Sequence, residues 1–339
     1  MKKMTIVLLL VIMLIVGFAA VRRIKHRRFL RQTPSAYVSF SPLPSPGTAY
    51  KSGNYQESIT VDGRTRTYIF RVPTTYSPEK IYPLVLVFHG GAGEGIKIAS
   101  QTDFPEKADK EDFIAVFPDG IEHSWNDGRD ATKAYKQGAD DVAFVRLLIT
   151  NLTEKLSVDQ KRIYATGVSN GAIFSHRLGC EMADVFAAIA PDVGSLAANL
   201  ESRCIPLLPI SIVVIQGTED PFININGGEV KNKYYPRLGD GGVILSAEKA
   251  MRFWAEKNGC EGEPTVTHIP PTVNDGTRVI KKQFNQCRNN TEVTYYIVEG
   301  MGHTWPPHEP QVPAVSGAST KNINATDVFW EFFKAHSKP

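Results

Sequence analysis

The spacing of apolar and polar positions changes several times along the 339-residue chain, and each change predicts an element. Residues 57–61 and 66–72 alternate around Asp62-Gly63, which predicts a β-hairpin. Continuous apolar runs at 83–88 and 113–117 predict strands buried on both faces. Between 140 and 156, Val142, Val145, Leu148, Ile149 and Leu152 recur at helical spacing, with Asp140 or Asp141 as the cap. A strand at 161–168 runs into a helix ending at Cys180. Strands at 186–190, 210–215 and 292–298 then interleave with helices at 247–257 and 325–335. Strands alternating with helices predict an α/β fold, a mostly parallel central sheet with helices on both faces, whose ligands sit at the carboxyl ends of the strands. The stretches 224–242 and 261–282 are predicted as loop insertions near that end.

The two ends of the pattern divide the chain into three. Residues 1–21 hold a short positive start and an apolar run from Thr5 to Val21, and are predicted to be a signal peptide or membrane anchor. Residues 22–53 begin with Arg22, Arg23, Lys25, Arg27, Arg28 and Arg31, continue rich in Ser and Pro, and are predicted to be a linker. Residues 54–339 are the predicted globular domain. The formal net charge is +3, and outside the arginine cluster the chain is close to neutral, so no basic face for nucleic acid is indicated.

Four well-separated cysteines, Cys180, Cys204, Cys260 and Cys287, have no C-x-x-C spacing for a metal. Behind an export-like segment an even count favours two disulfides. Of three connectivities, Cys180 with Cys204 and Cys260 with Cys287 closes the shortest loops. The arginine cluster would hold the following domain in the cytoplasm by the positive-inside rule, while the cysteines argue for an oxidising compartment. The balance favours a secreted or extracytoplasmic protein, with possible membrane contact through its N-terminal segment.

The chemistry centres on Gly167-Val168-Ser169-Asn170-Gly171, where a strand must turn abruptly into a helix. Such a turn forces its apex residue into a strained backbone and lifts a serine hydroxyl above the sheet, beside free helix N–H groups. Ser169 is the candidate nucleophile. Its base and the orienting acid should follow later in the chain, and both do. Strand 210–215 leads into Glu219-Asp220-Pro221, and strand 292–298 into Gly302-His303. Asp220 is the preferred acid over its neighbour Glu219, and His303 is the base. His89-Gly90-Gly91-Ala92-Gly93 follows a buried strand upstream of the elbow, as an oxyanion loop should. The N–H groups of Gly91 and Asn170 are the candidate donors. Trp125, Asn126 and Trp305 are candidates to line the substrate pocket, with core packing the alternative for both tryptophans.

These motifs, HGGAGEG at 89–95, SWNDGR at 124–129, ADDVAF at 139–144, YATGVSNGA at 164–172, FAAIAPDVG at 186–194, IQGTEDP at 215–221 and EGMGHTWP at 299–306, occur together and in order. The set resembles the secreted polyhydroxybutyrate depolymerase and feruloyl esterase-like family of α/β-hydrolases. The resemblance implies a serine esterase with Ser169, Asp220 and His303 as its triad and no metal or organic cofactor. The four cysteines match the family's placements. Implied substrates are polyhydroxyalkanoate oligomers and feruloyl or acetyl esters of plant polysaccharides. The chain departs from the family at Pro307-His308, after the histidine motif, and at Ala92, where many relatives carry glycine. From a different class, the alternative is an inactive hydrolase scaffold serving as a membrane-tethered binding or adhesion protein.

Overall fold

The computed structural model describes residues 39–45 and 48–339. The apolar run at 1–21, the arginine cluster and part of the Ser/Pro-rich stretch lie outside the described residues. Phe40–Pro339 forms one compact unit. It begins earlier than the boundary at 54 drawn from composition, because Tyr50 is buried against Tyr55 and Phe70 at the start of the sheet.

Twelve strands are present among the described residues. They are β1 (Gly53–Val61), β2 (Arg64–Val72), β3 (Tyr82–Phe88), β4 (Ile114–Pro118), β5 (Val158–Val168), β6 (Ala188–Asp192), β7 (Ser211–Gly217), β8 (Gly228–Glu229), β9 (Val243–Ile244), β10 (Thr265–Ile269), β11 (Arg278–Phe284) and β12 (Val293–Glu299). Ten of them make one sheet in the order β1-β2-β4-β3-β5-β6-β7-β12-β11-β10, and β8 and β9 form a separate short ribbon. The six central strands from β4 to β12 pair in parallel, and the antiparallel pairs β1–β2 and β10–β11 extend the two edges. β3 and β7 are buried at every residue, as their unbroken apolar runs require.

The helices are α1 (Gly95–Gln101), α2 (Phe104–Glu111), α3 (Lys133–Lys136), α4 (Asp141–Lys155), α5 (Asn170–Glu181), α6 (Ala247–Lys257), α7 (Pro313–Ser316) and α8 (Ala325–Lys334). Two cores result, one on each face of the sheet. Phe144, Phe174 and Trp254, from α4, α5 and α6, fill the first, and Phe104, Phe329, Trp330 and Phe333, from α2 and α8, fill the second. Asp140 caps α4 by accepting from the Ala143 N–H at 3.0 Å. Asp141 instead is fully buried and pairs with Arg66 at 2.7 Å.

The sequence-based expectation of a loop over 261–282 is corrected. This stretch contains β10 and the start of β11, which continue the sheet beyond β12. β10 is solvated on both faces as an edge strand, so its residues show no apolar alternation to reveal it. Helices α1 and α2 were not expected either. Each is under nine residues and buries only two side chains, too few to set a period.

Candidate active site

Four successive strand ends bring the site together. Ser169 follows β5, Asp192 ends β6, Asp220 follows β7 and His303 follows β12, and these strands are neighbours in the sheet. Parallel pairing sends all four chains out on the same edge, so residues far apart in sequence meet there.

Ser169 has φ 58° and ψ −119°, a left-handed conformation that a non-glycine residue adopts only under constraint. The constraint is local. A Cβ on Gly167 would lie 2.6 Å from the Phe88 carbonyl oxygen, and one on Gly171 would lie 2.3 Å from the same atom. Only glycine permits the elbow to pack this closely on β3. The serine is partly exposed, and its Oγ makes no hydrogen bond among the described residues.

Asp220 is held by its own turn. Its Oδ1 accepts from the N–H groups of Phe222 and Ile223, each at 2.8 Å, which leaves Oδ2 for His303 Nδ1 at 2.7 Å. Glu219 is exposed and contributes only its backbone N–H, to the Met301 carbonyl at 3.0 Å. His303 is fixed in turn by its N–H on the Ser316 carbonyl at 2.6 Å and by the Phe222 ring, 5.0 Å away between centroids. With Nδ1–H engaged by a carboxylate, Nε2 is the acceptor nitrogen of the neutral ring.

The loop after β3 shows how an N–H group is aimed. The Gly120 N–H donates to His89 Nε2 at 2.9 Å, so Nδ1 carries the proton and donates to the Gly90 carbonyl at 2.7 Å. Burial pushes the His89 pKa down to about 4, so the ring stays neutral in this role. The Gly93 N–H also donates to the Gly90 carbonyl, at 3.0 Å. Because the peptide is planar and trans, fixing that carbonyl turns the Gly91 N–H the opposite way. Neither the Gly91 N–H nor the Asn170 N–H has a partner among the described residues. A Cβ on Gly90 would lie 3.3 Å from the Ser169 Cβ, so this loop borders the elbow.

The Asn170 side chain anchors the elbow from beneath. Its Oδ1 accepts from the Trp125 N–H at 2.7 Å, and its Nδ2 donates to the Trp125 carbonyl at 3.1 Å and to Asp127 Oδ2 at 2.6 Å. Asp127 also takes Nε and Nη2 of the buried Arg129 at 2.9 and 2.7 Å. This Asp-x-Arg pair was not singled out in the sequence, although SWNDGR holds both residues. Asp192 was likewise missed. Its two carboxyl oxygens are buried without a hydrogen-bond partner among the described residues. Burial, then the nearby Asp220 charge, pushes its pKa well above the usual carboxylate range.

The expected pocket-lining residues are corrected. Trp125 is fully buried, stacks on Phe174 at 5.2 Å and donates from Nε1 to the His89 carbonyl at 2.9 Å, so it supports the loop from the core side. Trp305 is buried between Phe104 and Phe329 with its Nε1 on Thr326. Asn126 lines an open cavity of about 560 Å³ with Tyr135, Asp140, Arg146, Arg177 and Glu181, and neither Ser169, Asp220 nor His303 borders it. Both expected disulfides are formed, Cys180–Cys204 tying the end of α5 to the connection between β6 and β7, and Cys260–Cys287 tying the turn after α6 to the turn after β11.

Comparison with known proteins adds to this geometry. The model of the family described as esterase PHB depolymerase matches residues 66–248, which is more than half of the chain. The chain belongs to that family. It is a carboxylic ester hydrolase with the α/β-hydrolase fold. Feruloyl esterase B of Piromyces equi is 31% identical over 244 residues, covering 70% of this chain and 42% of that protein, so the chain spans less than half of that relative's length. Feruloyl esterase C of Emericella nidulans is 25% identical over 317 residues, covering 91% and 99%. Putative esterase NocK of Nocardia uniformis subsp. tsuyamanensis is 26% identical over 305 residues, covering 88% of each. Among solved structures, acetyl xylan esterase from Aspergillus awamori superposes with a TM-score of 0.55 at 14% identity, covering 83% of this chain and 99% of that one, a likeness of fold.

Proposed function

We propose that the esterase works through an acyl-enzyme formed on Ser169, with His303 as general base and acid, Asp220 as its orienting carboxylate, and the N–H groups of Gly91 and Asn170 as oxyanion donors. The observation that carries this reading is the Asp220–His303 contact at 2.7 Å, on the same edge of the sheet as a serine held at φ 58°. In the first half, Ser169 Oγ bonds to the ester carbonyl carbon as His303 Nε2 takes its proton. The carbonyl oxygen becomes an oxyanion that the two N–H groups can meet. The bond to the alcohol oxygen then breaks, and His303 returns the proton to it. Water repeats the sequence on the acyl-enzyme and releases the acid. Asp220 holds Nδ1–H throughout, which keeps Nε2 available.

The substrates proposed are hydroxycinnamoyl or acetyl esters of plant polysaccharides, as the names of the relatives suggest, with hydroxyalkanoate oligomers the rival class. Two disulfides support an extracytoplasmic site of action, with residues 1–21 acting as the export segment or anchor and the stretch up to about residue 40 as the linker. A panel of methyl ferulate, acetylated xylan and 3-hydroxybutyrate oligomers, assayed with the wild type and with Ser169→Ala, tests the reading. Hydrolysis of at least one class that is lost in the variant supports it. A variant retaining more than a tenth of the activity contradicts it.

A further inference from the structure

The loop between Ile223 and Val243 places one acidic side chain over the oxyanion loop. Asp240 Oδ2 lies 3.1 Å from the point that a Cβ on Gly91 would occupy. The loop tip is clamped there. Arg129 Nη1 donates to the Gly241 carbonyl at 2.8 Å, and its Nη2 stands 3.7 Å from Asp240 Oδ2. Gly242 sits so close that a Cβ on it would meet the Arg129 Cβ at 2.7 Å. The guanidinium does not neutralise Asp240, because its Nε and Nη2 already serve the fully buried Asp127 at 2.9 and 2.7 Å. One cation therefore faces two carboxylates. The charge left over falls on Asp240, whose side chain is 30% exposed while those of Asp127 and Arg129 are at most 1% exposed.

We propose that Asp240 is a specificity-determining residue, whose carboxylate beside Gly91 makes the enzyme prefer uncharged esters and discriminate against esters carrying an anionic group. The inference rests on the reading of Gly91 as an oxyanion donor, since that reading places substrate next to Asp240. It also separates the two substrate classes above. A polysaccharide-linked acyl ester is neutral around its carbonyl, whereas a short hydroxyalkanoate oligomer ends in a free carboxylate. A like charge held roughly 7 Å from Asp240 in a half-exposed cleft is disfavoured by about tenfold in rate, and more at low salt.

Two matched substrate pairs test this, one with the charge on the acid side and one on the alcohol side. They are p-nitrophenyl hemiglutarate against p-nitrophenyl valerate, and 4-acetoxybenzoate against 4-acetoxybenzamide. The quantity read is the ratio of kcat/KM for the anionic ester to that for its neutral partner. Asp240→Asn should raise this ratio about tenfold in at least one pair, and Asp240→Lys should raise it about tenfold again. Both gains should shrink in 0.5 M sodium chloride. Ratios within twofold of wild type in both pairs, for every variant that still turns over the neutral esters, would overturn the proposal. If Asp240→Lys fails to fold, the near-isosteric Asp240→Asn decides alone. Failure of the underlying reading has a different signature: if the Gly91 N–H does not meet the oxyanion, Gly91→Pro, which lacks that N–H, keeps its kcat on the neutral esters, whereas the charge ratio is read in the Asp240 variants alone.

Discussion

Removing the Asn170 side chain should separate what anchors the elbow from what performs chemistry. In Asn170→Ala three hydrogen bonds disappear, those to the Trp125 N–H, the Trp125 carbonyl and Asp127. Trp125 and Asp127 are fully buried, so water does not replace the lost partner. An orphaned buried donor costs roughly 1–3 kcal/mol. The carbonyl keeps a second lone pair, and Asp127 keeps Arg129, so each of these adds about 1 kcal/mol or less. The sum is about 4 kcal/mol, which for a domain of this size lowers Tm by roughly 8 °C. Guanidinium unfolding with the disulfides intact measures the difference as a lower midpoint at unchanged slope. Asn170→Asp is the sharper companion. It restores the acceptor for the Trp125 N–H but sets a second carboxylate against Asp127, and should be at least as unstable as alanine. A loss below about 1 kcal/mol in Asn170→Ala, or an aspartate variant as stable as wild type, would refute this account of the elbow's support.

Other outcomes follow from the same site. Asp220→Asn should keep the fold and lose roughly 10²- to 10⁴-fold in kcat through the wrong histidine tautomer, while the exposed Glu219→Gln changes kcat less than about threefold. Steady-state rates on a p-nitrophenyl ester, with circular dichroism as a folding control, distinguish them, and a crippled Glu219→Gln would reverse the assignment. Asp192 has a native pKa raised by burial, so below about pH 4 it is protonated in both native and unfolded chains and carries no penalty. As pH rises, the unfolded carboxyl ionises while the native one keeps its proton, and stability is lost until the native pKa is passed. Asp192→Asn should therefore gain on wild type by up to about 1.4 kcal/mol per pH unit above pH 4, and a pH-independent difference would contradict the assignment. His176 titrates with the opposite sign, because burial lowers its pKa from 6.5 to about 3. Stability should fall as pH drops from 6.5 toward 3, and His176→Gln, whatever its absolute stability, should flatten that fall by about one proton, as read from denaturation midpoints across the range.

The parts of the molecule that could be read from sequence are those dictated over a few residues. The elbow is one, since a serine between two glycines at a strand-to-helix junction has few backbone solutions, and Ser169 adopts the strained one. Asp220 is another, because the short side chain before proline folds back on the next two N–H groups and frees one oxygen. The buried parallel strands announced themselves as unbroken apolar runs. Residues whose role depends on distant neighbours did not. Trp125 and Trp305 lie beside site motifs in sequence, yet Phe174, Phe104 and Phe329 draw their rings into the two cores. Asp127 and Arg129 gain meaning only when the loop that carries Asp240, 112 residues on from Arg129 at Gly241, closes over them, as the Arg129–Gly241 hydrogen bond shows. Asp192 looked like part of an apolar motif, and its burial follows from the packing of β6 between β5 and β7. β10 was hidden because an edge strand solvated on both sides leaves no alternation.

The central claim is that Ser169 is the nucleophile and that His303 activates it. A fluorophosphonate probe tests this most directly, because it reacts covalently with a serine only when a base removes the proton, and it requires no knowledge of the natural ester. After labelling of the oxidised protein, peptide mass spectrometry should find one phosphonyl adduct, on Ser169. The adduct should be lost in Ser169→Ala and formed at least about a hundredfold more slowly in His303→Ala. Stoichiometric labelling of another residue, or labelling of Ser169 at an undiminished rate without His303, would contradict the account.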